Sequence, residues 1–277
     1  MYYIGLDDFL LSALKEDIGT GDITTNSCVS PSAVSKGVFR AKEDGIICGT
    51  DILLRVFALV DPAIQVSLLV KDGEAVKKGD HIATIQGPSR SILSGERLAL
   101  NLLQRMSGIA TATNKAAQAV RGTRAKIVDT RKTTPGLRVL EKYAVKTGGG
   151  YNHRFNLADG VLIKDNHLVA AGGIDKAVQA VRDNVPHTLK IEVETETMDQ
   201  IQQALDAGAD IIMLDNMGID EMAAAVKLIG GRALTEASGN MGERDLLSVA
   251  STGVDFISIG ALTHTVKSLD ISLKFTD

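Results

Sequence analysis

The chain has 277 residues, of which 44% are hydrophobic and 23% are charged, and its formal net charge is −4. These values indicate a globular protein of one large or two modest domains. They argue against a general nucleic-acid binder, because such proteins usually have a basic pI and an extended basic stripe. No stretch approaches the roughly 18 unbroken apolar residues that a membrane-spanning helix needs, so we expect no membrane partner.

The N-terminal stretch MYYIGLDDFLLSALKEDIG carries acids where a secretory signal would carry positive charge. We interpret it as the first helix of a mature protein. The two cysteines, Cys28 and Cys48, share no C-x-x-C spacing and form no zinc pattern with the histidines. We therefore expect two reduced thiols in a cytoplasmic protein.

Residues 20–90 are expected to form an α+β module, because GVFRAKEDGIICG, AIQVSLLV and DHIATIQGP have the composition of strands. A long helix is predicted from about Ser94 to Val120, with the boundary between two modules near its middle. At about 100° per residue, Arg105 lies roughly 20° from Leu98 and borders the apolar stripe of this helix. Its charge either reaches solvent along the stem of the side chain or meets an anion or another subunit.

From Ala125 onward, short apolar runs alternate with helical patterns. The runs are AKIVDT, GVLIKD, LKIEVET, IIMLDN, ALTEAS and FISIGAL. Ile191, Ile212, Leu234 and Ile257 mark four of them, at spacings of 21, 22 and 23 residues. A strand, a helix and two short loops fill about that length. The pattern therefore predicts successive βα units around a parallel sheet.

Charged or small residues stand at or just after the end of each run. They are Arg131, Lys164, Glu194, Asp215, Ser238 and Gly260. In a β/α barrel the active site is built at the C-terminal ends of the strands, and this placement favours a site there. The alternative is that strand ends carry polar residues only because they emerge into solvent.

The window of residues 121–167 is basic in an acidic chain. It holds ten Lys or Arg and four Asp or Glu, a net charge of +6 that leaves −10 for the other residues. Two like charges about 6 Å apart repel by roughly 3 kcal/mol at an effective dielectric constant near 20, so convergent cations favour an anion site. We expect this role for Arg131, Lys132 and Lys164. For four other cations of this window we expect side chains that simply point into water: Arg121, Arg124, Lys142 and Lys146.

The segment GGGYNHRFNLADGVLIKDNHL adds further candidates, since His153 and Arg154 directly follow three glycines. Its glycines permit close approach of the backbone to a ligand. A lone histidine is more often structural than functional, but its position beside Arg154 leads us to expect a functional role for His153.

Carboxylates follow in KIEVETE, where Glu192, Glu194 and Glu196 share one face of an extended segment, and in IIMLDN, which contains Asp215. Two carboxylates from neighbouring strand ends suit Mg²⁺, and this part of the chain lacks the His and Cys ligands typical of zinc sites. The alternative is that these acids pair with the basic residues. EASGN and SIGAL end the last two runs with small residues, which is typical of the phosphate site of a barrel.

These motifs together closely resemble those of the quinolinate phosphoribosyltransferase family, also called nicotinate-nucleotide pyrophosphorylase (carboxylating). The resemblance runs from about residue 14 to 274 through EDIGTGDITT, ERLALNLLQRMSGIAT, DTRKTTPGLR, GGGYNHRFNLADGVLIKDNH, IEVETET, LDNM, EASGN and GVDFISIGALTHTVKSLDIS. It implies an N-terminal α+β sandwich domain at 1–108 and an incomplete, open α/β barrel of TIM-like type at 109–265. The tail 266–277 is a candidate to return to the first domain.

The resemblance also implies transfer of the phosphoribosyl group of phosphoribosyl pyrophosphate (PRPP) to quinolinate, with decarboxylation. The substrate-binding residues it implies are Arg105, Thr130, Arg131, Lys132, His153, Arg154 and Lys164. Arg105 would be contributed across a homodimer. The catalytic residues implied are Lys132, Lys164, Glu194 and Asp215, and the last two would also hold Mg²⁺. The phosphate-binding residues implied are Ser238, Gly239, Asn240, Ile259, Gly260 and Ala261.

Some alternatives stay open at this point. Glu192 also fits the E-V-E motif, and Glu194 is preferred only because it lies nearer the strand end. A related phosphoribosyltransferase-like protein associated with molybdate transport shares the architecture but departs in the TTPGLR and NHRFNL regions. A phosphate-ligand sensor without catalysis would not need paired carboxylates. A lyase that forms a Schiff base on Lys164 is a weaker alternative.

Overall fold

In a computed structural model, which describes residues 3–276, the chain forms two compact units. One unit runs up to Ala112 and resumes at Val266, and the other is Thr113–Thr265. The strands are β1 (Val34–Ala41), β2 (Gly45–Ile46), β3 (Gln65–Leu68), β4 (Ala75–Val76), β5 (His81–Pro88), β6 (Lys126–Val128), β7 (Val161–Ile163), β8 (Ile191–Thr195), β9 (Ile211–Asp215), β10 (Leu234–Ser238), β11 (Phe256–Ser258) and β12 (Ile271–Thr276). The helices are α1 (Leu6–Ile18), α2 (Ile23–Cys28), α3 (Thr50–Val60), α4 (Ser89–Ala119), α5 (Arg138–Thr147), α6 (Asp165–Ala171), α7 (Ile174–Asn184), α8 (Met198–Asp206), α9 (Ile219–Ile229), α10 (Leu246–Ser251) and α11 (Ala261–His264), with a 3₁₀ turn at Met241–Glu243.

The first unit contains a four-stranded antiparallel sheet in the order β12-β1-β5-β3. The C-terminal strand thereby pairs with the first strand of the chain. Phe39 of β1 and Phe57 of α3 are fully buried and meet edge to face, with their ring centroids 6.0 Å apart. The long helix α4 begins at Ser89, earlier than the predicted Ser94.

The second unit contains a six-stranded parallel sheet in the order β6-β11-β10-β9-β8-β7. Each of the six predicted apolar runs forms one of these strands, and the marker residues Ile191, Ile212 and Ile257 are completely buried. Within residues 3–276 the ladder does not close from β7 back to β6. The prediction of an open α/β barrel is therefore confirmed.

Helices α7, α8 and α9 alternate with the strands from β7 to β10, as the helical patterns between the apolar runs predict. Each buries a narrow apolar face; α9, for example, buries Met222, Ala225 and Ile229 at helical spacing. Gly230 ends α9 in the left-handed conformation, at φ 55°, which a residue with a side chain adopts at a cost. In the part of the chain that the structure describes, we find no helix with the length and apolarity to span a membrane.

Candidate active site

A cavity of about 780 Å³ opens at the C-terminal ends of the parallel strands, and its lining residues all belong to the Thr113–Thr265 unit. The C-terminal ends of parallel strands meet at one edge of the sheet, so residues far apart in the sequence converge there. The structure brings all six predicted strand-end residues into the lining: Arg131, Lys164, Glu194, Asp215, Ser238 and Gly260. The volume lies within the range usual for small-molecule sites.

One part of the cavity is cationic, because Arg131, Lys132, Arg154 and Lys164 all line it. Burial lowers the pKa of Arg154, and the positive charge of Arg131 lowers it further. Arg154 donates from Nη1 to the carbonyl of Gly160 at 2.9 Å, which holds its guanidinium in place. Like charges held together in this way favour an anionic ligand between them.

A buried ion pair supports the loop that carries His153. Lys142 donates from Nζ to Asp129 Oδ1 at 2.5 Å and to the His153 carbonyl at 2.9 Å. Asp129 also accepts from the His153 N–H at 2.8 Å and from Asn152 Nδ2 at 2.7 Å. The expectation that Lys142 points into water is therefore wrong, since its side chain is only 4% exposed. By contrast, Arg121, Arg124 and Lys146 are exposed.

Both ring nitrogens of His153 have partners. Nε2 lies 3.0 Å from Glu192 Oε2, and Nδ1 accepts the backbone N–H of Arg154 at 2.7 Å. Burial lowers the pKa of His153, but the hydrogen bond to Glu192 and the charges of Glu236 and Glu192 outweigh it and raise the pKa. The acceptor role of Nδ1 nevertheless requires the neutral ring, with its proton on Nε2. We adopt this tautomer because the Arg154 N–H would otherwise face a second N–H.

Glu194 and Asp215 stand on the neighbouring strands β8 and β9 and both line the cavity. Glu194 forms an ion pair with Lys164, and Asp215 Oδ2 accepts from Asn216 Nδ2 at 2.7 Å. Glu192 points instead to His153 and is buried. Of the two acids in the E-V-E motif, Glu194 is therefore the one that faces the cavity. Glu196 lies beyond the end of β8 and is exposed.

The turns after β10 and β11 form the small-residue rim. Gly239 has φ +94°, and a Cβ there would lie 2.2 Å from Asn216 Oδ1, so only glycine fits. Asn240 is also left-handed, at φ 51°. The hydroxyl of Thr263 donates to the Lys132 carbonyl at 2.7 Å, which joins the rim to the cationic part. The predicted phosphate-binding residues that line the cavity are Ser238, Gly239, Asn240, Gly260 and Ala261.

Two predicted residues are placed elsewhere. Ile259 is not among the lining residues; its side chain is buried, and its N–H donates to the Val128 carbonyl at 3.0 Å. The prediction that Ile259 binds phosphate is therefore corrected, because that donor is already used in the sheet. Arg105 lies on α4 in the first unit, and the cavity lining described above does not include it.

Several residues of the cavity or its support were not predicted from the sequence. Glu236, Asn216 and His264 line the cavity, and Asp129 lies beneath it. Only Glu236 had a visible signal, namely an acid in the middle of the apolar run ALTEAS.

Two family models match the chain, one described as the N-terminal domain of quinolinate phosphoribosyl transferase over residues 22–107 and the other as its C-terminal domain over residues 109–274. The chain belongs to the quinolinate phosphoribosyltransferase family. This result confirms the resemblance inferred from the motifs.

Individual relatives match over nearly the whole chain. A Bacillus subtilis protein named "Probable nicotinate-nucleotide pyrophosphorylase [carboxylating]" is 48% identical over 276 residues, covering 100% of this chain and 95% of its own. A Nicotiana tabacum protein named "Quinolinate phosphoribosyltransferase [decarboxylating] 2b, mitochondrial" is 44% identical and covers 97% and 82%. The solved nicotinate-nucleotide pyrophosphorylase of Francisella tularensis is 40% identical, with a TM-score of 0.93 and coverage of 98% and 96%.

Proposed function

We propose that this protein transfers the 5-phosphoribosyl group of PRPP to the ring nitrogen of quinolinate. The products are nicotinate mononucleotide, pyrophosphate and carbon dioxide, a step of de novo NAD biosynthesis. The observation that carries the proposal is one cavity that joins convergent cations, two carboxylates and a small-residue rim. This combination matches a dicarboxylate and a phosphorylated sugar as the two substrates, and family membership supports the same reaction.

The cationic part of the cavity would receive quinolinate. Arg131 and Arg154 offer the planar forks that pair with carboxylates, while Lys132 and Lys164 add mobile charges. Thr130 supports this turn, since its hydroxyl accepts the Lys132 N–H at 3.0 Å. Because both nitrogens of His153 are engaged, we assign it to orienting Arg154 and its loop, a change from the carboxylate-binding role that the resemblance implied.

The rim and the two strand-end acids would receive PRPP. Backbone N–H groups of the Ser238–Asn240 turn and of Gly260 and Ala261 are suited to the 5′-phosphate, because small residues leave them accessible. Glu194 and Asp215 would accept from the ribose hydroxyls. Their oxygen donors also fit Mg²⁺, which prefers one or two carboxylates together with substrate oxygens. When bound, Mg²⁺ would supply positive charge to the pyrophosphate.

In the proposed mechanism the cavity holds the ring nitrogen of quinolinate in line with the ribose carbon as pyrophosphate departs. Lys132 and Lys164 neutralise charge that develops on the leaving group, and the arginines fix the orientation of the ring. The ring then becomes a pyridinium, whose positive charge stabilises the carbanion left when the adjacent carboxylate departs. The cationic residues therefore need to position that carboxylate without stabilising it too strongly.

The decisive assay detects products by mass spectrometry after incubation with quinolinate, PRPP and Mg²⁺, with nicotinate replacing quinolinate in a parallel reaction. Nicotinate mononucleotide from quinolinate alone would support the decarboxylating transferase. No product from quinolinate, despite binding to the folded protein, would point to the transport-linked relative or to a sensor, and the proposed roles would fall.

We also propose a cytoplasmic location, which suits reduced thiols at Cys28 and Cys48. We further propose a homodimer in which Arg105 of one protomer completes the neighbour's site. Mixing Arg105→Ala with Arg131→Ala protein under conditions of subunit exchange tests the dimer. If Arg105 acts across the interface, heterodimers regain one complete site and about a quarter of wild-type activity returns. If Arg105 acts within its own protomer, the mixture stays as inactive as its parents.

A further inference from the structure

Three ionisable side chains meet at the cavity and are not explained by substrate binding. This His–Glu–Glu cluster consists of His153, Glu192 and Glu236. His153 Nε2 lies 3.0 Å from Glu192 Oε2 and 3.7 Å from Glu236 Oε2. Both glutamate side chains are only 5% exposed, yet Glu236 is one of the cavity-lining residues. The Oε1 atom of each glutamate is buried and has no hydrogen-bond partner in the described structure.

The surroundings of Glu236 favour a protonated carboxyl group. Burial raises its pKa to about 8, and the charge of Glu192 contributes to this rise. The charge that His153 carries when its ring is protonated, a hydrogen bond with Ser258 and the charge of Lys164 act in the opposite direction but are weaker. Two carboxylates this close cannot both ionise easily in a buried site. Because Glu236 lines the cavity, a protonated carboxyl group there would also have a donor to offer to a ligand.

The proposed reaction requires such a proton. When carbon dioxide leaves, the bond between C2 and the carboxyl carbon breaks, and its electron pair stays on C2 beside the pyridinium nitrogen. This carbanion must gain a proton, or it recombines with carbon dioxide. An ordinary lysine ammonium, with a pKa near 10.4, is a poorer donor than a carboxyl group in the environment of Glu236.

We propose that Glu236 is the general acid that protonates C2 of the pyridine ring after decarboxylation, with Glu192 and His153 as its positioning residues. This inference rests on the proposed function. The O–H bond of Glu236 breaks, the C2–H bond of nicotinate mononucleotide forms, and Glu236 is left as a carboxylate. Water that enters the cavity after product release returns the proton.

The test measures pyrophosphate and carbon dioxide separately in single turnovers with carboxyl-labelled quinolinate. In the near-isosteric Glu236→Gln variant we expect pyrophosphate to appear while release of carbon dioxide slows by about 10²-fold or more, the usual contribution of a general acid. Quinolinate mononucleotide should accumulate. Glu236→Asp should recover part of the rate, and Glu221→Gln, an exposed glutamate on α9, should behave as wild type.

A pH profile of the wild-type enzyme provides a readout that needs no variant. The rate of carbon dioxide release should fall as the pH rises through about 8, where Glu236 loses its proton. The rate of pyrophosphate release should not fall in this pH range. In Glu236→Gln, the rate of carbon dioxide release should also show no such fall. Equal release of both products in Glu236→Gln, or a wild-type decarboxylation rate that does not decline, would overturn the proposal. Absence of pyrophosphate release from the wild type would instead refute the proposed function itself.

Discussion

The buried pair of Lys142 and Asp129 offers a test of how the site is supported, through the substitution Lys142→Met. Methionine fills a similar volume but removes the charge that Asp129 faces, and it removes the donor to the His153 carbonyl. The Asp129 side chain is 0% exposed, so water cannot replace the lost partner. Among residues 3–276, the carboxylate then keeps two donors, the N–H of His153 and the amide of Asn152.

The expected magnitude follows from this geometry. Breaking a buried ion pair by removing one partner costs about 3–5 kcal/mol, because an uncompensated charge remains. Since Asp129 keeps two hydrogen bonds, we expect the low end, about 3 kcal/mol of unfolding free energy. The loop of His153 and Arg154 also loses an anchor, so the KM for quinolinate should rise more than the KM for PRPP.

The pH dependence has a definite sign. Burial already raises the pKa of Asp129 despite the opposing effect of Lys142, and removing the lysine raises it further. A carboxyl group whose folded pKa lies above its unfolded value, about 3.9, loses stability as the pH rises above that value. The deficit of Lys142→Met should therefore be largest near neutral pH and shrink as the pH falls toward about 4.

Urea unfolding followed by circular dichroism measures these differences. Lys146→Met is the matched control, because this residue lies one turn further along α5 and is exposed; we expect a change within about 0.5 kcal/mol. A loss below about 1 kcal/mol in Lys142→Met would refute the argument that the pair is desolvated and coupled. A deficit that stays constant between pH 7 and pH 4 would refute the assignment of the cost to ionised Asp129.

Three further substitutions test the cavity. Arg131→Ala should lower kcat/KM for quinolinate by about 10- to 100-fold through loss of charged hydrogen bonds, and near-normal efficiency would exclude its role. Gly239→Ala should destabilise the protein and raise the KM for PRPP, because its Cβ would meet Asn216 Oδ1 at 2.2 Å. Gly231→Ala has a similar positive φ but open space around the Cβ, and a thermal shift as large as that of Gly239→Ala would contradict this reasoning. Asp215→Asn should raise the Mg²⁺ concentration needed for half-maximal activity several-fold, and an unchanged Mg²⁺ titration would exclude it as a ligand.

Much of the fold could be predicted from the sequence, because the apolar runs of buried parallel strands and the spacing of βα units are local patterns. Six runs in the second unit correspond to six strands, and the residues at their ends line one cavity. The topology alone explains this convergence, since every strand of a parallel sheet ends at the same edge. The glycine at position 239 belongs to the motif EASGN, which was recognised in the sequence. The close approach of Asn216, which requires a glycine there, could not be predicted from that motif.

Burial and pairing, by contrast, were decided by the tertiary structure. Lys142 is one charge among many in a basic window, and only the packing of α5 against Asp129 shows that it is enclosed. Glu192 and Glu194 share one motif, yet the first faces His153 and the second faces the cavity. The raised pKa of Glu236 likewise depends on its burial and on the charge of Glu192, which lies on β8 and is far away in the chain. Sequence patterns record which residues are polar, whereas the cost of a charge depends on the neighbours that folding brings within a few ångströms.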